Sequence, residues 1–461
     1  MTIKVGETSD LYWLSATEAV NLMRAGDLTA TDLVEACLAR IEALEDRIKA
    51  WAFLDPELPL AVAGEIDARR VRGEDISPLQ GIPLGVKDVF NTLNMPTQMG
   101  SSLWEGFTPG NDSRAVAKLR RQGAIVMGKT VTAEFAVHHP GPTVNPYDFM
   151  RSPGTSSSGS AVAVATGMTP IALGTQTAGS TIRPASYCGV YGLKPTFGLI
   201  PRTGILKTVD TLDHVTVHAR TLEDIRLVFD NIRVRGTNYP VVNRKIDSPE
   251  ALTLGRPPWR VGLVRGPKWS YAEKYAQDAI LNFASEIDRI DGIEVKELEL
   301  PDMFSRAHEV HDIIYSRMLS YYFQEESKQF DKLSKVFQEM IVRGNRFTLK
   351  DYREGLAFQD DLVDTTERMF DDVDVILNLS SGGEAMVGLE TQDRPDNCLI
   401  WTFARVPALG VPAFQGPLKL PFGAQLVARR YDDYGLMEFA DLLAQEGVIE
   451  QGPYPDLPII E

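Results

Sequence analysis

The chain has 461 residues, 44% hydrophobic and 24% charged, a globular balance that excludes a disordered, collagen-like or coiled-coil chain. Its 47 basic and 63 acidic residues leave a formal net charge of −16, which disfavours phosphate backbones, and the densest basic run is only Arg120-Arg121, so no nucleic-acid role is expected. Three scattered cysteines (Cys37, Cys188 and Cys398) form no disulfide framework or CxxC knuckle, and six histidines leave little material for His-based catalysis or a metal centre.

In chain order, residues 15 to 53 read as helices. Ser15-Ala16-Thr17-Glu18 is a capping box, and Leu33, Cys37, Ile41 and Leu44 follow at helical spacing. Ala-rich helical sequence continues to about Arg72. Gly81-Ile82-Pro83-Leu84-Gly85-Val86 then reads as a buried strand with its turn. Residues 113 to 121 predict a helix with Val116 and Leu119 inward, and residues 124 to 127 a strand. Residues 159 to 167 are small and apolar, fitting a helix packed closely on a sheet.

From about 235 to 260 the chain is polar and Pro-rich, as in a surface connection. Residues 259 to 264 read as a strand, 271 to 371 as mostly helical, and 373 to 379 as a strand again. Alternation of strands and helices implies an α/β fold, and strands on both sides of the helical block favour one sheet with a helical insertion. No run approaches the ~18 apolar residues of a membrane span. The first residues lack an apolar leader core, so a cytoplasmic location is the expectation.

Gly123 to Thr130, with Gly128-Lys129-Thr130, fits the phosphate-loop expression. The context is wrong for phosphate, because the residues between the glycines read as the strand and a helix precedes them. Arg151 to Ser160 is a Ser/Gly-rich stretch leading straight into the small-residue helix, unlike a flexible linker. Gly174-Thr175-Gln176-Thr177-Ala178-Gly179-Ser180 is a second tight turn ending in serine, where backbone N–H groups can converge beside a hydroxyl. Lys87 follows an apolar strand, and a lysine in a buried site can act as a neutral base. A Lys base with a Ser nucleophile is then a hydrolase that needs no histidine.

These segments resemble the amidase signature family. Gly81 to Asp88, Gly123 to Phe135, Asn145 to Ser160, and Gly174 to Gly198 are similar to its motifs, and Ser156 and Ser180 stand 24 residues apart, the family's usual interval. The resemblance implies the amidase signature fold, a mixed, twisted central sheet flanked by helices on both faces, as one domain over 1–461. The signature core would be 75–215, and a helical insertion at 265–371 would shape the substrate pocket with the loop from Gly382 to Asn397.

It also implies Ser180 as nucleophile, Ser156 as the cis-peptide serine that relays protons, and Lys87 as base. Thr177, Ala178, Gly179 and Ser180 would offer the oxyanion hole. The expected activity is cleavage of a small-molecule carboxamide-type C–N bond through an acyl-enzyme, with an aryl or apolar acyl group, and with no metal or organic cofactor.

Other readings are a glutamine amidotransferase subunit supplying ammonia to a partner, a hydrolase of carbamate- or urea-like substrates, and a non-catalytic scaffold. A homodimer is one expected assembly. Phe135, His138, Tyr191 and Trp401 are candidate substrate contacts or ordinary core. Ser157 is the neighbouring alternative to Ser156. The chain departs from the family pattern at Thr155, Ser158 and Ala178, where glycines are usual, at Gln176, where Asp is frequent, and at Arg183, one residue later than usual. Asp88 is read as a turn anchor and Arg151 as structural. His308 and His311 share a helix face without a third metal ligand.

Overall fold

A computed structural model describes residues 8–74, 77–236, 244–247, 258–390 and 393–449. Most of the polar connection expected at 235–260 lies outside them. Helices α1 (Ala16–Ala25) and α2 (Ala30–Ile48) both start at capping boxes, Ser15 with Glu18 and Thr29 with Asp32. Lys49 ends α2 in the left-handed region at φ 56°. The chain then enters β1 (Trp51–Leu54), where the sequence pattern predicts helix. Tertiary pairing decides this segment: Trp51 registers with Thr130 and Leu54 with Gly128. A Cβ on Gly128 would lie 2.4 Å from the Phe53 carbonyl oxygen, so only glycine permits the approach.

Next come α3 (Glu57–Val71), β2 (Pro83–Lys87), α4 (Arg114–Arg121) and β3 (Ile125–Thr130). Ser113 caps α4, whose Val116 and Leu119 are buried as the spacing predicts. Helix α5 (Ser158–Ala165) is buried along its whole length. It packs so closely that a Cβ on Gly159 would meet the Val131 nitrogen and the Ala50 oxygen at 2.4 Å, which explains its run of small residues. Strand β4 (Ile171–Gln176), helix α6 (Ile182–Cys188), β5 (Tyr191–Lys194), β6 (His214–Ala219) and α7 (Leu222–Ile232) complete the first half.

The second half runs β7 (Trp259–Leu263), α8 (Lys274–Ile287), β8 (Ile293–Glu297), α9 (Ala307–Tyr322), α10 (Lys335–Arg346) and α11 (Leu349–Met369). It ends with β9 (Val375–Leu379), α12 (Cys398–Phe403), β10 (Ala408–Gln415), β11 (Pro421–Ala428) and α13 (Asp433–Gln445). Strand β8 interrupts the stretch that reads as helical. Its Ile293 is buried while Glu294 is exposed, the alternation of a half-covered edge strand.

All strands among the described residues join one eleven-stranded sheet in the order β1-β3-β2-β4-β6-β5-β10-β11-β9-β7-β8. Pairing is mixed: β2 is parallel to β3 and β4, β7 to β8 and β9, and the remaining pairs are antiparallel. This is the mixed central sheet with flanking helices that the resemblance implied. A second apolar cluster, including Phe304, Ile314, Phe337 and Trp401, lies under α9 to α12. Among the described residues no helix is long and apolar enough to cross a membrane.

Candidate active site

Lys87 ends β2, an interior strand between β3 and β4, and its side chain is fully buried. Its Nζ lies 2.7 Å from Ser156 Oγ, 3.0 Å from Ser157 Oγ and 2.8 Å from Thr175 Oγ1. Burial pushes its pKa well below the ordinary lysine value, against an opposing pull from Asp213. A lysine surrounded by hydroxyls rather than carboxylates has little to hold its proton.

The two candidate relay serines differ in their commitments. Ser157 Oγ donates to the Thr175 carbonyl (3.1 Å) and accepts from the Thr175 N–H (3.3 Å), so it is tied to β4. Ser156 Oγ meets Lys87, and the Thr155–Ser156 peptide is cis. The Ser157 N–H donates to the Ser180 carbonyl at 3.1 Å, stitching the serine loop to the turn that carries Ser180.

That turn is oriented by its carbonyls. Thr177 O takes a hydrogen bond from His311 Nε2 (3.0 Å), and Ala178 O from the Thr402 hydroxyl (2.6 Å). Gly179 O accepts from Arg183 N–H (3.1 Å), and Ser180 O from Ser157 N–H. A carbonyl can only accept, so His311 carries its proton on Nε2. Burial pushes the His311 pKa down to about 4, keeping the ring neutral near pH 7. With four successive carbonyls drawn outward, the N–H groups of Ala178, Gly179 and Ser180 have no acceptor among the described residues. They remain available to an oxyanion.

Gln176 completes the support. Its Oε1 accepts from the N–H groups of Thr181 (2.9 Å) and Ile182 (3.0 Å), and its Nε2 donates to Thr402 (3.0 Å). A neutral amide thus caps α6 at a position where the family often carries a carboxylate. Arg183 on α6 pairs with Asp393 (2.8 Å) and Asp396 (2.5 Å). Arg151 holds Asp148 and the Ala385 carbonyl, a structural role.

A cavity of about 410 Å³ adjoins this centre, lined by Thr175, Thr177, Arg202, Lys207, Thr208 and Asp213 among others. The loop at 202–208 therefore forms a wall that no sequence motif marks. The four candidate substrate contacts separate. Tyr191 is fully buried in the main apolar cluster on β5, and Trp401 is fully buried against Phe304, so both are core side chains and not walls of this cavity. Phe135 is also fully buried, its ring tilted against Phe323 (4.8 Å) and Phe337 (5.1 Å). Only His138 is partly exposed. It meets Tyr315 edge-on at 6.2 Å, and burial and then Arg183 push its pKa down to about 4.

The phosphate-loop match has another explanation. Lys129 lies on β3 after α4, fully buried, paired with Asp88 at 3.1 Å and donating to Thr97 and the Phe90 and Pro96 carbonyls. Asp88 also accepts from the Gln98 N–H, so it is both turn anchor and ion-pair partner. His308 and His311 spend their Nε2 atoms on the carbonyls of Asp396 and Thr177. Thr402 carries no signal in the sequence, whereas His311 is marked there only as part of a helix face and Asp393 and Asp396 only as part of the loop from Gly382 to Asn397; the contacts that bring each of them to the site span over 100 positions.

Comparison with known proteins now decides the family. Residues 32–437 match the amidase family model. The chain belongs to the amidase family. It is a hydrolase of carbon–nitrogen bonds other than peptide bonds. A glutamyl-tRNA(Gln) amidotransferase subunit from Chloroflexus aggregans is 32% identical to this amidase over 475 residues, covering 94% of this chain and 96% of that one. The peptide amidase from Stenotrophomonas maltophilia superposes with a TM-score of 0.82 at 28% identity, covering 96% and 98% of the two chains. A further amidase crystal structure gives 0.84 at 27% identity, covering 94% and 100%.

Proposed function

We propose that this amidase cleaves a small-molecule carboxamide through an acyl-enzyme on Ser180. The observation that carries the reading is Lys87 Nζ 2.7 Å from Ser156 Oγ, in a site whose burial favours the neutral amine. Neutral Lys87 takes a proton from Ser156, which takes one from Ser180 as its oxygen attacks the amide carbon. The oxyanion is received by the N–H groups of Thr177, Ala178, Gly179 and Ser180. The protons return through Ser156 to the leaving nitrogen as the C–N bond breaks. Water, activated by the same relay, then hydrolyses the ester on Ser180. Every step is a proton transfer or an acyl transfer, so the scheme needs no cofactor.

The acyl group is read as aryl or apolar. The support is the apolar part of the cavity wall, Val89, Ala136, Ile205 and Leu206, and the partly exposed ring of His138, edge-on to Tyr315 at 6.2 Å. A second reading, glutamine hydrolysis for a partner protein, is favoured by the similarity to the amidotransferase subunit over nearly the whole chain. It predicts glutaminase activity that appears only with the partner.

The test is a panel of aryl amides, aliphatic amides, carbamates, hydrazides and glutamine, assayed with wild type and Ser180→Ala. Aryl amide turnover that Ser180→Ala abolishes is the expected result. Full activity in Ser180→Ala would overturn the mechanism, and turnover of carbamates alone would move the substrate class.

A further inference from the structure

The loop of Ser156 and the turn of Ser180 are separate pieces of chain, and one carboxylate lies between their flanks. Asp393 Oδ2 accepts the Thr155 N–H at 2.9 Å and the Thr155 hydroxyl in a short hydrogen bond. The same oxygen accepts Arg183 Nη1 at 2.8 Å, and Oδ1 accepts the Ser152 hydroxyl at 3.4 Å. Thr155 precedes the relay serine. Arg183 lies three residues after the nucleophile, and its guanidinium presses on the oxyanion turn: a Cβ on Gly179 would sit 2.6 Å from an Arg183 terminal nitrogen. Asp396 holds the other edge of the guanidinium through Nε at 2.5 Å, and its Oδ1 accepts the Cys398 N–H at the start of α12. The side chains of Asp393 and Asp396 are 4% and 3% exposed, so water competes little for these bonds.

We propose that Asp393 is a positioning residue that sets the spacing between the Ser156 relay and the Ser180 nucleophile. It acts through Thr155 on one side and through Arg183 against Gly179 on the other. Thr155 supplies the hydroxyl for this contact, and the carboxylate comes from the segment 382–397. The proposal rests on the Ser180 reading above. A relay of hydroxyls depends on oxygen–oxygen distance, and a misplacement of about 1 Å is enough to slow such chemistry by about 100-fold.

The experiment is covalent labelling of the full chain by a fluorophosphonate probe, separating the maximal labelling rate, the probe's apparent affinity and the labelled fraction. Wild type should label fully and Ser180→Ala not at all. Asp393→Ala should label about 100-fold more slowly at saturating probe, with affinity and final labelled fraction kept. Asp393→Asn, which keeps the size and one acceptor oxygen, should recover about tenfold of that loss, and Thr155→Val should show a loss of about tenfold. A merely structural role would lower the labelled fraction at an unchanged rate. If Asp393→Ala does not fold, Asp393→Asn and Thr155→Val decide. Wild-type rates in these variants overturn the positioning role alone. Failure of wild type to label, or labelling of Ser180→Ala, overturns the Ser180 reading and the positioning role with it.

Discussion

Lys87 and Lys129 sit on neighbouring parallel strands, both fully buried. In the β2–β3 register Lys129 stands beside Val86 and Lys87 beside Thr130, so the one-residue offset sends the two side chains to opposite faces of the sheet. Their surroundings differ in kind. Lys129 meets a carboxylate, two backbone carbonyls and a hydroxyl, acceptors suited to an ammonium. Burial lowers its pKa to about 8 while Asp88 pulls it back up. Lys87 meets three hydroxyls. Ser157 gives its proton to the Thr175 carbonyl, which leaves the Ser156 and Thr175 hydroxyls able to donate to a neutral amine as well as accept from a charged one. The same burial therefore leaves a lysine paired with a carboxylate on one face and, on the other, a lysine among hydroxyls that suits the base proposed above. A buried lysine is a base when its neighbours can give protons back.

The largest expected effect separates the two roles. Lys87→Met should lower the rate of Ser180 acylation by about 10²- to 10⁴-fold, the usual contribution of a general base, without lowering the melting temperature. Labelling kinetics and a thermal scan check this, and acylation at the wild-type rate would break the contrast. Lys129→Met should do the reverse. It strands buried Asp88 and should destabilise the fold by about 3–5 kcal/mol, while the folded fraction labels normally. Urea unfolding measures the loss, and the double variant Asp88→Asn/Lys129→Met should regain most of it.

The pH dependence sharpens the comparison further. Folding lowers the Lys87 pKa below its unfolded value, so the native chain sheds this proton first. Its contribution to stability then grows as pH rises from the folded pKa towards the unfolded one, about 10.4. Acylation needs the neutral amine, so the labelling rate should rise with pH through the lowered pKa and then level off. Lys129→Met should leave that limb in place. Thr175→Val removes one acceptor from the Lys87 ammonium, which should move the limb to lower pH by up to about one unit. A limb that stays fixed in Thr175→Val and disappears in Lys129→Met would assign the titration to the wrong lysine.

Local signals located the elements around the site well. The capping box at Ser15, the helix capped by Ser113, the apolar run into Lys87 and the small-residue helix α5 each carry a short-range reason for their form. Strand β1 escapes the sequence pattern because four residues carry too little of it, and pairing with β3 defines the strand. Strand β8 does carry alternation, Ile293 in and Glu294 out, but inside a charged helical stretch. Three of the aromatic candidates, Phe135, Tyr191 and Trp401, are fully buried while His138 is partly exposed, because proximity in sequence to a motif says nothing about which way a ring faces.

By itself the sequence determined the order of the lysine and the two serines, the small residues that let backbone approach them, and the family they imply. It also showed that the residues between Gly123 and Gly128 read as a strand after a helix, which argues against a phosphate loop; that the strand runs on through Lys129 is a finding of the structure. Only the tertiary structure decided the chemistry of each lysine. A side chain's pKa depends on which dipoles and charges exclude water around it. Those groups come from afar: Ser156 lies 69 positions from Lys87, Thr175 lies 88, and Asp393 reaches Thr155 across 238. The neighbours that set the surroundings of Lys87 are assembled by the sheet and cannot be read along the chain.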